Sequence, residues 1–244
     1  LQDNLPPFNH KIALKIIEDE LGSPADDLFE YFPDKPIASA SLGQVYKVKT
    51  KNNEYLAVKV QRPNLKFLIK RDIVILKLLA TTFSPVLPLN IGVGIGEIID
   101  EFGKSLFEEI DYEKEGENAI RFANLFRKNP NVFIPKLEKV YSSKKVITTS
   151  WIEGVKLRDK DELEKNNLIP SSYIRTCVIS GLQQLFEHGY FHADPHPGNM
   201  FALKGGDSES GHLAYVDFGM MDSITNHDRI TLIKAIVHLI NEEY

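Results

Sequence analysis

Two short stretches hold most of the residue types that chemistry needs. "YFHADPHPGNMF" (190–201) packs His192, Asp194, His196 and Asn199 around Pro195 and Pro197. "VDFG" (216–219) adds a second aspartate, Asp217. Two chemistries compete for this set. His-x-Asp-x-His could chelate zinc through its imidazoles. Alternatively, Asp194, Asn199 and Asp217 supply carboxylate and amide oxygens, the donors that a hard cation such as Mg²⁺ prefers. The two prolines stiffen the turn and weigh against the zinc reading, and the rest of the chain has to supply the partners that decide between the two.

Upstream, Lys59 sits inside the apolar strand "YLAVKV". A lysine aimed at the buried side of a strand has to be paired, because an unpaired buried charge is costly. Ahead of it lies "ASASLGQVY" (38–46), placed as a phosphate-cradling loop would be, with Ala38 and Ala40 where glycines are usual, then Gly43 and Val45. An alanine Cβ disfavours positive φ and keeps the backbone further from a phosphate. The later "GVGIG" lacks the strand and helix that such a loop requires.

Composition bounds the class. The 244 residues are 43% hydrophobic and 26% charged, ordinary for a soluble globular protein. A net charge of −5 gives no electrostatic case for a nucleic-acid partner. The single cysteine, Cys177, excludes an internal disulfide framework and a Cys-rich zinc site, and its apolar surroundings read as core. The chain begins at Leu1 without a basic-plus-apolar leader and stops at Tyr244 inside a helical pattern, so a fragment of a longer protein is expected. Residues 78–96 carry no charge, a length that suits a membrane span, but Pro85, Pro88, Asn90 and the glycines would break a spanning helix. A loop packed on the protein is expected there, with contact to a lipid surface as the alternative.

The elements that must position these residues follow from periodicity. "PPFNHKIALKIIEDELG" predicts a helix with Ile12, Ile16 and Ile17 on one face and Gly22 at its end, and "ADDLFEYF" a short second one. The β-branched alternation of 36–61, turning at Asn52-Asn53, predicts consecutive strands. "NLKFLIKRDIVILKLLATTF" is helical with Asn64 as N-cap, and a single long charged helix is expected over 96–129. "VFIPKLEKVYSSKKVITTSWIEG" predicts a hairpin turning at "SSKK". A short acidic helix near 159–167, a strong helix from Pro170 to the residue before Gly189, and strands "NMFAL" and "HLAYVDF" complete the order. The outcome is an α+β, two-lobed protein with a cleft between the lobes.

D-x-x-x-x-N followed by D-F-G, behind a strand lysine, is the motif order of the protein-kinase-like fold. "ASASLGQVY", "AVKVQRP", "EEIDYEKEGEN", "HADPHPGN" and "VDFGM" together resemble the UbiB family of atypical kinases, linked to ubiquinone and other prenyl-lipid metabolism. The resemblance implies a strand-rich N-lobe with extra helices and a helical, truncated C-lobe. Its boundaries would be an N-terminal helical extension over 1–36, an N-lobe over 37–153 with a helical insertion at 64–100, and an incomplete C-lobe over 154–244. It implies that Lys59 contacts nucleotide phosphates and that Glu115 pairs with Lys59. Asp194 would orient or deprotonate the acceptor, and Asn199 and Asp217 would bind Mg²⁺. Ala38, Ala40, Ser41, Gly43, Val45 and Ala57 would line the nucleotide, with Ser150, Trp151 and Ile152 as the hinge against adenine. Glu109 and Asp111 match the family's E-x-D motif. Read as residues alone, Glu109, Asp111 and Glu115 lie in a very acidic run of the kind that is usually solvated, and Asp111 and Glu115 fall on one helical face. The family's upstream K-x-G-Q helix is not in this chain, which leaves open how substrate access is controlled. The A-P-E element on which ordinary kinases dock peptides is not found after Asp217, which ranks protein phosphorylation in trans lower.

The function expected is an atypical kinase or ATPase using ATP (or ADP) and Mg²⁺ in support of prenylquinone or related lipid metabolism. Its partners would be nucleotide and a lipid surface or prenyl-lipid pathway enzymes. Its place would be peripheral to a bacterial inner, mitochondrial or plastid membrane. Two alternatives stand: a nucleotide-gated, lipid- or partner-binding pseudokinase module, and a small-molecule kinase of the aminoglycoside or choline type.

Overall fold

Asn9 accepts a hydrogen bond from the Lys11 N–H at 2.9 Å and so starts α1 (His10–Leu21), which Gly22 ends in the left-handed conformation. The computed structural model describes residues 5–83, 94–206 and 211–241. It divides into two units: Leu1–Glu115 with Leu137–Trp151, and Gly116–Lys136 with Ile152–Tyr244. Residues 116–136, placed in the first lobe by the sequence reading, therefore group with the second unit.

The first unit is built on an antiparallel sheet in the order β1 (Ala38–Ser39), β2 (Gly43–Lys49), β3 (Tyr55–Gln61), β5 (Val146–Ser150). Asn53, at φ 66°, makes the turn from β2 to β3. Alternation sends Tyr46, Val48, Leu56, Val58 and Val60 to one face, where they bury against Ala13 and Ile17 of α1 and against Ala25 of the one-turn helix α2 (Ala25–Leu28). The core stripe of α1 is Ala13 and Ile17 with Ile16 alongside; Ile12, expected on that stripe, is 43% exposed.

After β3 come α3 (Leu65–Phe83) and α4 (Ile95–Glu109), which pack closely where Gly103 meets Ile73, and then α5 (Tyr112–Phe126). The N-cap position of α3 is held by Asn64, whose carbonyl accepts from the Leu68 N–H. Residues 84–93, the middle of the uncharged stretch, lie outside the described residues. Among those described, no helix is long and apolar enough to cross a membrane.

The single helix expected over 96–129 is two. Asp111 Oδ1 accepts from the N–H groups of Glu113 (3.1 Å) and Lys114 (3.2 Å), the satisfaction an N-cap gives to orphan donors, and this starts α5 afresh. Buried Ile110 ends α4, and its carbonyl accepts from Gln61 Nε2 at 2.6 Å.

The hairpin expected over 132–154 is also revised. It does turn at "SSKK", where Ser143 N–H donates to the Val146 carbonyl at 2.7 Å, but its first arm splits. β4 (Val132–Phe133) leaves to pair with a strand of the second unit, and a 3₁₀ turn at Lys139–Tyr141 takes up the rest. Pro135 cannot donate to a ladder, so pairing with β5 is confined to one antiparallel bridge, Leu137 with Thr149, beside the turn where the Thr148 hydroxyl donates to the Tyr141 carbonyl (2.6 Å).

In the second unit, β4 runs parallel to β9 (Gly211–Tyr215), followed by antiparallel β8 (Met200–Gly206) and β6 (Gly154–Lys156). Short α6 (Lys160–Lys165) precedes α7 (Pro170–Leu182), which docks on this sheet through buried polar groups: Thr176 Oγ1 donates to the Gly211 carbonyl at 2.9 Å, and Ser180 bonds the Tyr215 hydroxyl at 2.8 Å. Half-buried Cys177 lies 3.7 Å from Met200 Sδ, and burial raises its thiol pKa, as suits a packing cysteine. A π-helical turn, Gln183–His188, extends α7 until Gly189, at φ 62°, reverses the chain into β7 (Tyr190–His192). β7 pairs with β10 (Met221–Ser223), and α8 (Asn226–Ile240) follows.

Close approach makes one glycine indispensable. A Cβ on Gly43 would stand 2.6 Å from the Val60 carbonyl oxygen and 2.7 Å from the Tyr112 hydroxyl. Gly43→Ala is expected to destabilise the protein by about 1–3 kcal/mol through overpacking. Chemical denaturation checks this, and a change below about 0.5 kcal/mol would show that the strand yields at no cost.

Candidate active site

Directly opposed residues of an antiparallel pair share a face. Ala38 faces Val45, Val45 faces Lys59, Lys59 faces Ile147, and Ala57 faces Thr149. Ala38, Val45, Ala57 and Lys59 therefore line the sheet face opposite the α1 core, as the period of the strands dictates. On that face Lys59 Nζ donates to both carboxylate oxygens of Glu115, each at 3.0 Å, and lies 4.9 Å from the Tyr112 ring centroid. Glu115 is 3% exposed and Lys59 23%. The acidic run thus contains one carboxylate that is far from solvated. Asp111 caps α5 while Glu115 pairs with the lysine, so their shared face gives them separate tasks. Glu109 is half-buried in the last turn of α4.

Sequence reasoning missed two residues at the end of β3. Besides holding the Ile110 carbonyl, Gln61 donates its own N–H to the Lys145 carbonyl at 2.9 Å, which ties the start of α5 to β3 and β5. Arg62 spans the alanine-rich loop: Nε donates to the Ala40 carbonyl (2.8 Å), and one terminal nitrogen donates to Ser39 Oγ (3.1 Å) and the Pro6 carbonyl (3.0 Å). Within the loop the Ala40 N–H donates to the Gly43 carbonyl at 2.8 Å, a tight turn that leaves Ser41 exposed. The available signal was a Gln-Arg pair immediately after an apolar strand. Ser150 ends β5, and the Trp151 N–H donates to the Tyr55 carbonyl at 3.0 Å. Ile152 opens the longer segment of the second unit.

In the second unit the ladder of β8 and β9 pairs Met200 with Tyr215, and one step on, the Val216 N–H donates to the Asn199 carbonyl at 3.1 Å. That bond sets Asn199 opposite Val216, the residue before Asp217. Asp217 Oδ1 accepts from the Gly219 N–H at 3.0 Å. A carboxylate and an amide are the hard oxygen donors that suit Mg²⁺, which takes one or two protein oxygens and completes its shell with phosphate and water.

The histidines hold backbone. The ring of His192 has Nε2 2.7 Å from the Asp217 carbonyl and Nδ1 3.1 Å from the Asp194 N–H. A carbonyl can only accept and an amide N–H only donate, so the ring is neutral with its proton on Nε2, and no lone pair remains for a metal. Burial lowers its pKa, against the raising effects of the Asp217 carbonyl and the Asp217 and Asp194 charges. The main chain of His192 is fixed by buried Gln184, whose Oε1 accepts its N–H at 2.9 Å from within the π-helical turn. His196 Nδ1 accepts from the Gly198 N–H at 3.0 Å and caps the turn that carries Asn199. Among the described residues no cluster of His, Cys, Asp or Glu could hold a metal alone.

A strand lysine paired to a helix glutamate in one unit, with an Asp/Asn oxygen pair behind an H-x-D loop in the other, defines a protein-kinase-like protein. The model of the ABC1 atypical kinase-like domain matches residues 1–244, and the chain belongs to this family, the UbiB family of the sequence resemblance. It is 47% identical over its whole length to the Synechocystis protein slr1919 and 38% to the Arabidopsis thaliana chloroplastic protein ACTIVITY OF BC1 COMPLEX KINASE 1, covering 42% and 35% of those proteins. The chain thus spans about two-fifths of the length of these relatives. Among solved structures it is similar to that of the Mycobacterium tuberculosis Rv3197–erythromycin complex, with a TM-score of 0.69 and 26% identity over 89% of this chain and 53% of the other.

Stranding Glu115 should be costly. Lys59→Met is expected to lower stability by about 3 kcal/mol, the low end for breaking a buried pair because the lysine is partly exposed. Lys59→Met combined with Glu115→Leu should regain most of that in urea titrations; a double variant no better than the single would refute the charge argument. For His192 the unfolded ring protonates near 6.5 and the folded ring only below it, so the unfolded state binds more protons in between. Its contribution is complete above 6.5 and is lost as pH falls through the folded value. Unfolding free energy should therefore drop less between about pH 7.5 and about pH 5.5 in His192→Gln than in the wild type; equal slopes would contradict this assignment.

Proposed function

We propose that this chain binds Mg²⁺-ATP or ADP and hydrolyses ATP or transfers its terminal phosphoryl group, in support of prenylquinone or related lipid metabolism. The observation that carries this reading is the fixed backbone of Asn199 and Asp217, two hard oxygen donors held at the same end of the β8–β9 ladder. Bound Mg²⁺ would neutralise charge on the phosphate oxygens. The chain's own contribution is positioning and electrostatics, the main resources for phosphoryl transfer. Lys59, oriented by Glu115, suits phosphate oxygens, and the half-buried Asp194 carboxylate would orient or deprotonate the acceptor. Alanines at 38 and 40 would hold the loop further from the phosphates than glycines do, so the nucleotide geometry is altered relative to ordinary kinases.

A lipid partner is supported by α3. Phe67 and Leu78, 67% and 66% exposed, recur with Val74 on one face, and Lys66 and Lys70 flank it. That is the pattern of a helix lying on an anionic interface. The chloroplastic and cyanobacterial relatives favour a plastid or bacterial membrane as the site of action.

The test is phosphate release from Mg²⁺-ATP by wild type and Asp217→Asn, each with and without anionic vesicles. Asp217→Asn should reduce release on the order of 100-fold, given the several kcal/mol that a metal contributes, and vesicles should raise the wild-type rate. Absence of release with a nucleotide-induced rise in melting temperature would replace catalysis with a nucleotide-gated module. Release indifferent to vesicles would remove the lipid surface from the proposal.

A further inference from the structure

The main chain around Asp217 is held residue by residue. Val216 N–H is taken by the Asn199 carbonyl, the Asp217 carbonyl by His192, the Gly219 N–H by Asp217 itself, and the Met220 carbonyl by the Ala193 N–H at 2.9 Å. The Phe218 carbonyl completes the series, and its donor comes from α5: Asn118 Nδ2, at 2.9 Å. The opposite end of that amide, Oδ1, accepts from the Tyr190 hydroxyl at 2.9 Å. Tyr190 is buried, with the Arg121 guanidinium 3.8 Å from its ring centroid. Because a carbonyl can only accept, the amide has one orientation, NH₂ toward Phe218 and oxygen toward Tyr190.

We propose that Asn118 is a positioning residue for the metal site: by fixing the peptide that follows Asp217, it sets the direction in which the Asp217 carboxylate meets Mg²⁺. The proposal rests on the nucleotide reading above. Outer partners of ligating carboxylates govern metal affinity by about 10–100-fold when removed. A general stabilising role would act on the fold and leave the metal requirement untouched, which is what separates the two.

Three substitutions distinguish the ends of the amide. Asn118→Asp keeps an acceptor for Tyr190 but sets a carboxylate oxygen against the Phe218 carbonyl. Asn118→Ala removes both bonds without adding charge and serves if the aspartate variant does not fold. Tyr190→Phe removes only the hydroxyl. The measurement is the rise in melting temperature with ADP, titrated with Mg²⁺ and repeated without metal. Both Asn118 variants should need about tenfold more Mg²⁺ for the half-maximal rise, with the metal-free ADP shift unchanged, while Tyr190→Phe stays within about twofold of the wild type. If the wild type responds to Mg²⁺-ADP and the Asn118 variants need no more metal than it does, the proposal is overturned and the nucleotide reading stands. If Tyr190→Phe shifts the requirement as much as the Asn118 variants, the Phe218 bond is not the determinant. A wild type that ADP does not stabilise overturns the nucleotide reading and this proposal together.

Discussion

A carboxylate that is almost wholly buried can persist as an ion only if a cation and good geometry meet it. Glu115 is such a group, and the architecture of the first unit follows from serving it. Lys59 must reach it from the middle of a strand, so β3 has to alternate its core residues onto the other face. The start of α5 must be fixed against that strand, and Gln61, Tyr112 and the capped break at Asp111 together do this. Gly43 has no side chain because Tyr112, packed beneath Lys59, already fills the space. One ion pair therefore accounts for a strand pattern, a helix start and a glycine that look unrelated in sequence.

The second unit solves a different problem with main-chain chemistry. The oxygens of its candidate site stand on loops, where the backbone has no ladder of its own to settle its direction. Here the ladder is replaced by side chains with a fixed donor and acceptor sense: a neutral imidazole, a buried glutamine and an asparagine. Each satisfies a backbone group that would otherwise be idle: the imidazole those of Asp194 and Asp217, the glutamine that of His192, and the asparagine that of Phe218. The low basicity of His192 comes from its burial, and it keeps the ring in the neutral form that can accept the Asp194 N–H.

Much of this was legible in the sequence. The strands of 38–61, the end of α7 at Gly189, the α+β class and the order of motifs are local signals, written in alternation and in turn residues. The pairing of Lys59 with Glu115 was accessible only through the family resemblance, since fifty-six positions separate them and nothing in the acidic run distinguishes the buried carboxylate from its neighbours. The break at Asp111 escaped notice because an aspartate within a charged helical run looks like any other surface position until its side chain turns onto the following amides. The arms of the expected hairpin parted for a tertiary reason, β4 having a parallel partner eighty residues away. Gln61, Arg62 and Gln184 were missed because a polar residue that serves backbone carries no periodic signature.

The interruption between α4 and α5 has a consequence for how this family can vary. In a continuous helix, each residue added or removed would rotate everything beyond it by about 100°, and Glu115 would be swung off Lys59. A capped break resets that phase. The segment between β3 and Asp111 can therefore change in length and character, acquiring new outer surfaces, while the glutamate beyond it keeps its bearing. A segment free to change its length is thus joined to a residue whose bearing is fixed by a joint that does not transmit twist.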